Sequence, residues 1–206
     1  MRRTAVSLAA ALAAACLAVP AAAQLVSEGT EFLRAIENRH EAEGSGKVTE
    51  MLGVPGATIV NARELASGRT ALHIVVADRD ATWLSYLLSQ RANVNLADSQ
   101  GVTPLMLAVQ IGYTEGAQAL IERGARVDVS NASGETPLIF AVHARSTELM
   151  RVLLEAGANP DRRDNSGRSA RDYARLRGAN DITNDVIARH ERDASQREDA
   201  QVYGPS

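Results

Sequence analysis

The sequence predicts an all-α solenoid, in which short antiparallel helix pairs stack side by side along one axis. Two landmarks lead to this prediction, because both recur every 33 residues without a gap. The first is a glycine followed two residues later by Thr or Ser, at Gly68, Gly101, Gly134 and Gly167. The second is a glycine or arginine followed by alanine, at Arg91, Gly124 and Gly157. A fixed period of this length is typical of repeat proteins. Aromatic residues make up only 3% of the 206 residues, so the core is expected to consist of Ala, Val, Leu and Ile.

The stretch from Gly101 to Gly112 shows how one unit is built. Gly101 suits a turn with positive φ, which glycine adopts at little cost. Thr103 is placed to cap a helix, and Pro104 to occupy its first turn, where a missing N–H does no harm. Apolar residues then crowd one side of the short helix, and Gly112 ends it in the left-handed conformation. A second helix is predicted from about Thr114 to the next glycine.

Helices of two or three turns are marginal alone, so neighbouring units must cover their apolar sides. Stacking into a quasi-one-dimensional solenoid follows from this requirement. Arg79, Arg91 and Arg145 stand where other units have the helix-ending glycine. Each costs about 1 kcal/mol if the left-handed conformation is kept. These positions are either softer joints or places where the helix end is shifted.

The 33-residue period and the Thr-Pro-Leu pattern resemble the ankyrin repeat family. The resemblance is strong over Asn61–His190 and looser over Thr30–Val60. Ala71 and Ala170 stand where the family usually has proline, in the first and last units. The resemblance implies paired short antiparallel helices joined by β-hairpin-type loops. It also implies a protein that binds other proteins.

Several segments of different character follow one another along the chain. Residues 1–23 are predicted to be a secretion signal, 28–60 an N-terminal capping helical pair, 61–190 four repeats and 191–206 a mobile charged tail. The repeats cover about 62–94, 95–127, 128–160 and 161–190. In the N-terminal pair, Phe32, Leu33 and Ile36 share one side of a helix, and Val48–Leu52 belongs to its partner. In the last repeat, Val186 and Ile187 are expected to face inward, while the residues before them form a polar outer face.

The N-terminus predicts export to the periplasm or out of the cell. Arg2 and Arg3 precede the uncharged stretch Thr4–Val19, and small residues then lead to cleavage after Ala23. An uncleaved membrane anchor is one alternative, although alanine is only weakly hydrophobic. Lipidation of Cys16, the only cysteine, is the other alternative. Without that lipid, no membrane insertion is expected after cleavage.

Few residues offer chemistry of their own. The net charge is −3, which does not favour nucleic acid, since binding there rests on Lys and Arg. Gly44–Lys47 lacks the residues of a phosphate loop and is interpreted as a flexible connector. The four histidines lack the spacing of a zinc helix. His73 matches the histidine of the ankyrin signature, and the resemblance implies that it makes local hydrogen bonds that fix the turn. We therefore predict no catalytic residue, metal or cofactor, with an enzyme as the alternative class.

Function is expected on the surface of hairpin tips and first helices, where the resemblance places ligand contacts. The predicted partner-binding residues are Arg69, Asp78, Ser99, Gln100, Val102, Gln110, Ile111, Ser133, Glu135, His143, Ser166 and Arg168. Val102 and Ile111 stand out, because exposed apolar side chains favour a protein contact. Trp83 and Tyr86 lie on a second helix, where Trp83 is interpreted as core filling, with a convex-side contact as the alternative.

The sequence thus predicts a monomeric, non-enzymatic module that binds one protein partner on its concave surface in the periplasm. One alternative is a secreted effector acting on a host protein. Another follows from the resemblance to periplasmic ankyrin proteins, some of which are thought to support a stress-defence enzyme such as catalase.

Overall fold

The computed structural model of the protein describes residues 21–53, 58–178 and 181–203. Cys16 and most of the predicted secretion signal lie outside these residues. The helices are α1 (Ala21–Glu37), α2 (Ala42–Leu52), α3 (Ala71–Ala77), α4 (Ala81–Ser89), α5 (Pro104–Gln110), α6 (Thr114–Glu122), α7 (Pro137–His143), α8 (Thr147–Glu155), α9 (Ala170–Leu176) and α10 (Ile182–Tyr203), with one 3-10 turn at Ile59–Asn61. Within the described ranges β-pairing is limited to two isolated bridges, Arg63 with Thr70 and Arg163 with Ser169. The predicted all-α solenoid is confirmed.

The first helices of the four repeats begin at the same point of the period. A Thr or Ser with extended backbone precedes each of them, and its side chain satisfies an N–H that the first turn leaves free. Thr103 accepts from the backbone N–H of Met106 at 3.3 Å, and Ser169 from that of Asp172 at 3.2 Å. Gly112 then has φ of 67°. The predicted cap and stop are both confirmed.

The core of the repeats contains a row of leucines in register, from α3 to α8. Leu105 and Leu138 of the first helices and Leu120 and Leu153 of the second helices are fully buried. Each is covered by the neighbouring repeat, so no single helix pair encloses its own core. In α9 the equivalent position is Arg171, whose guanidinium pairs with Asp161 at 2.7 Å.

Backbone hydrogen bonds join each hairpin tip to the one before it. The N–H groups of Ser99, Ala132 and Asn165 donate to the carbonyls of Ser67, Gln100 and Ser133 at 2.8, 2.9 and 3.1 Å. A second set of hydrogen bonds joins consecutive repeats through side chains. The side-chain oxygens of Asn61, Asn95 and Asp128 accept from the backbone N–H groups of Asn93, Arg126 and Asn159 at 2.8, 2.8 and 2.9 Å. These bonds fix the position of each hairpin relative to the next.

The N-terminal helix pair is held to the first repeat by Arg39, which is only 2% exposed. Its guanidinium donates to Asp80 at 2.9 Å, to Asp78 at 2.7 Å and to the carbonyl of Ile36 at 2.9 Å. Burial by itself would raise the pKa of Asp80. The N–H of Trp83 and the Arg39 guanidinium outweigh burial, and the pKa lies below its ordinary value.

The interpretation of Gly44–Lys47 as a flexible connector is wrong, because these residues belong to α2. Gly44 is buried where α2 passes the end of α1. A Cβ atom at this position would lie 2.2 Å from the carbonyl oxygen of Asn38. Glycine therefore permits a close helix–turn contact here.

The predicted tail at 191–206 begins as a continuation of the last helix, and its mobility stays a prediction. Helix α10 continues through Tyr203. Its C-terminal half is rich in Ala, Glu, Arg and Gln, which favour helix without any apolar pattern. Arg189 and Asp185 add an i, i+4 ion pair of 2.6 Å. The outer face is less polar than predicted as well, since Thr183 is buried.

Arg79, Arg91 and Arg145 keep the left-handed conformation, with φ of 54°, 60° and 54°. The side chains of two of them reach the next repeat: Arg79 donates to the carbonyl of Ile111, and Arg145 pairs with Asp181 at 3.1 Å. Among the described residues the Arg91 side chain has no such partner. The cost of positive φ is therefore offset at two joints and uncompensated at the third.

We expect Arg91→Gly to stabilise the protein by about 0.5–1 kcal/mol, because glycine removes the left-handed strain. Urea unfolding followed by circular dichroism measures this change. Arg79→Gly is the matched comparison, and it should give a smaller gain since it also loses the bond to Ile111. Equal gains from both variants would contradict the bridging role of Arg79.

Candidate protein-binding surface

The first helices present a row of apolar side chains that remain partly exposed. The row contains Ile74, Leu107, Phe140 and Tyr173, spaced by 33 residues, and each packs on the core with part of its surface left open. We call these four residues the first-helix stripe. The hairpin tips border it, because each hairpin leads directly into its first helix. The stripe was not predicted, although its 33-residue spacing was visible in the sequence.

The predicted partner-binding residues differ in how far they are exposed. Ser99, Gln100, Gln110, Ser133, His143, Ser166 and Arg168 are exposed, and Arg69, Ile111 and Glu135 are half-buried. They are distributed over the hairpins and first helices of successive repeats. Such an arrangement offers an extended contact area.

The expectation that Val102 is an exposed apolar residue is wrong, since it is only 9% exposed. Its N–H donates to Asp98 at 2.9 Å, and its carbonyl lies 3.0 Å from Nε2 of His73 in the preceding repeat. These bonds hold the residue close to the repeat before it. Ile111, which was paired with it in the prediction, also packs against the core.

Asp78 already has an intramolecular partner. Its side chain is 51% exposed, but one carboxylate oxygen receives a hydrogen bond from the buried Arg39. The residue therefore contributes to the attachment of the N-terminal helix pair. Arg39 therefore partly compensates the negative charge of Asp78 within the protein itself.

The structure brings three of the predicted residues together around one that was missed, Tyr173. The ring of Tyr173 lies 4.5 Å from the His143 ring between centroids. Ser166 Oγ is 3.3 Å from the tyrosine hydroxyl, and the Arg168 guanidinium lies 6.0 Å from the ring centre. Residues from two consecutive repeats thus form one continuous cluster.

Asp164 fixes the orientation of this cluster. Its carboxylate accepts from the Tyr173 hydroxyl at 2.6 Å, from Ser166 Oγ at 2.7 Å and from the N–H of Arg168 at 3.0 Å. Burial would raise the pKa of Asp164, but the hydrogen bonds from Tyr173, Ser166 and Arg168 lower it to about 2. The carboxylate stays ionised at neutral pH and holds the tyrosine in one orientation.

His73 forms the local hydrogen bonds that the sequence predicts. Its Nδ1 accepts from the N–H of Thr70 at 3.1 Å, which leaves Nε2 as the protonated nitrogen that donates to Val102. Burial lowers the pKa of His73, against smaller raising effects of the Val102 carbonyl and Asp98. Arg69 and Arg63 lower it further. The imidazole is therefore held neutral in the folded protein.

The unfolded chain binds a proton at His73 more readily than the folded one, so stability rises with pH and falls as the pH drops below about 6.5. We expect the free energy of unfolding to decrease between pH 7 and pH 5, by at most about 1.4 kcal/mol per pH unit from this residue. Met106 occupies the position of His73 in the next repeat, and His73→Met should remove this dependence of stability on pH. His143→Gln should preserve it, and an unchanged slope in His73→Met would contradict the assignment.

The aromatic pair on the second helix packs into the stack. Trp83 and Tyr86 meet edge to face, with centroids 5.3 Å apart and planes at 86°. Both are half-buried and lie against the core, as core filling requires. In the described ranges no three His, Cys, Asp or Glu side chains converge as a metal site would require. None of the helices there is long and apolar enough to cross a membrane.

Comparison with known proteins agrees with this architecture. A family model for ankyrin repeats in three copies matches residues 12–131, and one for ankyrin repeats in many copies matches residues 120–174. The first match alone covers more than half of the chain, which therefore belongs to the ankyrin repeat family. An ankyrin repeat protein of fowlpox virus (strain NVSL) is 40% identical over 65 residues, which are 32% of this chain. The match covers 19% of the viral protein, so the chain corresponds to a small part of that relative. Fold and family together define a protein–protein interaction module.

Proposed function

We propose that the protein is exported to the periplasm and binds one partner protein along its first-helix stripe and hairpin tips. The observation that carries this proposal is the stripe itself. Four partly exposed apolar side chains in register, bordered by exposed polar ones, provide a contact area that the fold does not require. Large apolar side chains at the centre and polar groups at the rim are the usual anatomy of a protein interface.

The rigidity of the surface supports binding with little ordering cost. Backbone bonds join the hairpin tips, and Asp164 fixes Tyr173 at the C-terminal end. A partner would then meet a preformed surface, whose concave curvature is expected from the repeat architecture.

A photo-reactive amino acid at one of two glutamines tests the binding surface. Gln110 lies at the end of a first helix beside the stripe, and Gln118 is exposed on the second helix of the same repeat. In cells of the source organism, we expect a cross-linked adduct from position 110 and none from position 118. Adducts from both positions, or from 118 alone, would contradict a surface confined to first helices and hairpins.

Export is tested separately by cell fractionation and by sequencing the N-terminus of the purified protein. The proposal requires a periplasmic protein that begins at Gln24. A protein found in the growth medium would favour a secreted effector instead. A lipid-modified Cys16 would replace the soluble periplasmic form with an anchored one.

A further inference from the structure

We infer that the segment of the partner bound at the C-terminal end of this surface is acidic, and that it docks on Arg168, Arg175 and Tyr173. The inference rests on the proposed function and specifies the chemistry of the partner. It is independent of where in the cell the protein resides.

The last repeat has a higher positive charge than the two middle repeats. Residues 161–178 contain six arginines and three aspartates, although the whole chain has a net charge of −3. The equivalent stretches of the two middle repeats, 95–112 and 128–145, each contain one more acidic residue than basic residues. Positive charge is therefore concentrated at one end of the solenoid.

Only part of this charge is neutralised inside the molecule. Arg163 pairs with Asp172 at 3.3 Å, and Arg171 with Asp161 at 2.7 Å. Within the described part of the chain, Arg168 and Arg175 form no ion pair with any carboxylate. Both side chains are exposed, so their charge is available to a partner.

The two arginines face a shallow groove between the last hairpin and α9. Its lining also includes Arg163, Asp172 and Leu176. Leu176 is 68% exposed. The groove therefore offers two unpaired guanidinium groups beside one exposed apolar side chain.

Tyr173 joins this groove to the stripe. Its hydroxyl is held by Asp164, and its ring lies between His143 and the Arg168 guanidinium. Tyrosine and arginine are the residue types that most often dominate interface energies. An ordered tyrosine beside two unpaired arginines fits a peptide with carboxylates on both sides of an apolar residue.

Three fluorescein-labelled peptides of equal length test the inference by fluorescence anisotropy. Each has a Leu-Phe-Leu centre, flanked by Asp and Glu, by Ser and Gln, or by Lys and Arg. At low salt, where charges are weakly screened, we expect the acidic peptide to bind at least about tenfold more tightly than the neutral one. The basic peptide should bind more weakly than either.

The double variant Arg168→Glu, Arg175→Glu should weaken binding of the acidic peptide by about tenfold or more. A matched control is Arg126→Glu, Arg192→Glu, which makes the same change in net charge at exposed positions away from the stripe. It should change the affinity by no more than about twofold. Circular dichroism of each variant shows whether it is folded. The single substitution Arg175→Gln, at an exposed position, should weaken binding of the acidic peptide without affecting folding.

Two results would overturn the inference. One is equal affinity for the acidic and neutral peptides, or an affinity that the double variant leaves unchanged. The other is a salt-sensitive dimer in sedimentation velocity that the double variant abolishes, because a second copy of the chain would then be the occupant. Neither result decides the proposed function, which depends on the adduct at position 110.

Discussion

Arg39→Met is expected to destabilise the junction between the N-terminal helix pair and the first repeat by about 3 kcal/mol. The substitution removes the guanidinium from Asp80, whose side chain is 12% exposed, and leaves the exposed His40 at 3.7 Å as its basic neighbour. Removing one member of a buried ion pair costs about 3–5 kcal/mol. The lower end applies because Asp78 is 51% exposed and can turn towards water.

Hydrogen exchange is the measurement that locates this effect. Solenoid stability is a sum over neighbouring units, so α1 and α2 should lose protection while α5 to α8 keep theirs. Arg34→Met is the matched control, because Arg34 is an exposed arginine on α1, the helix that ends just before Arg39, and it should stay within about 0.5 kcal/mol. Uniform loss of protection along the whole stack would contradict a local junction.

The second large effect is expected from Gly134→Ala, which should destabilise the protein by about 2–4 kcal/mol. Gly134 has φ of 79°, which an alanine adopts only with strain. A Cβ atom there would also lie 2.6 Å from both the backbone nitrogen and Oδ1 of Asn165 in the next hairpin. The added methyl therefore pushes against the hairpin that contains Asp164.

Gly124→Ala separates the two causes. Gly124 has φ of 84° and a Cβ atom there would meet nothing within 4 Å, so only the backbone strain of about 1–2 kcal/mol applies. Urea unfolding measures both variants, and equal losses would show that contact with the next hairpin adds nothing. Because the contact reaches Asp164, Gly134→Ala should also weaken binding of the acidic peptide, whereas Gly124→Ala should not.

The period of the sequence was sufficient to predict the repeats. Thr103, Pro104 and Gly112 act over a few residues, so their capping and stopping roles follow from local chemistry. The role of His73 was implied by the family resemblance, and its partner Thr70 is three residues away. Because the units are alike, what held for one repeat held for the others.

The contacts that were missed or wrongly predicted depend on how particular segments meet. Arg39 meets Asp78 and Asp80 from a segment outside the regular repeats, and no spacing rule connects them. Gly44 resembled a linker residue because its close contact with Asn38 depends on how two helices meet. Val102 occupies a position that the family exposes, but bonds to Asp98 and His73 hold it against its own stack.

Tyr173 is a different case, because the sequence contained the necessary signal. Its 33-residue step from Phe140 and Leu107 placed it in the stripe. Apolar residues at this spacing are equally compatible with a fully buried core position, so the spacing alone does not show that part of each side chain remains exposed. Unlike its counterparts in the stripe, Tyr173 has a hydroxyl, which donates to Asp164. That contact could not be predicted, because it depends on how the hairpin places Asp164.

The links between hairpin tips give the stack a direction. Each internal tip donates one backbone N–H to the tip before it and offers one carbonyl to the tip after it. A unit of 33 residues inserted between two others would therefore make and receive the same bonds as those it separates. The length of such a chain can change by duplication or loss of whole units, while its two ends must remain distinct. Asp161 shows this difference at the last repeat. Its carboxylate pairs with Arg171 of the same repeat, whereas the equivalent Asp128 accepts a hydrogen bond from Asn159, which leads into the next repeat.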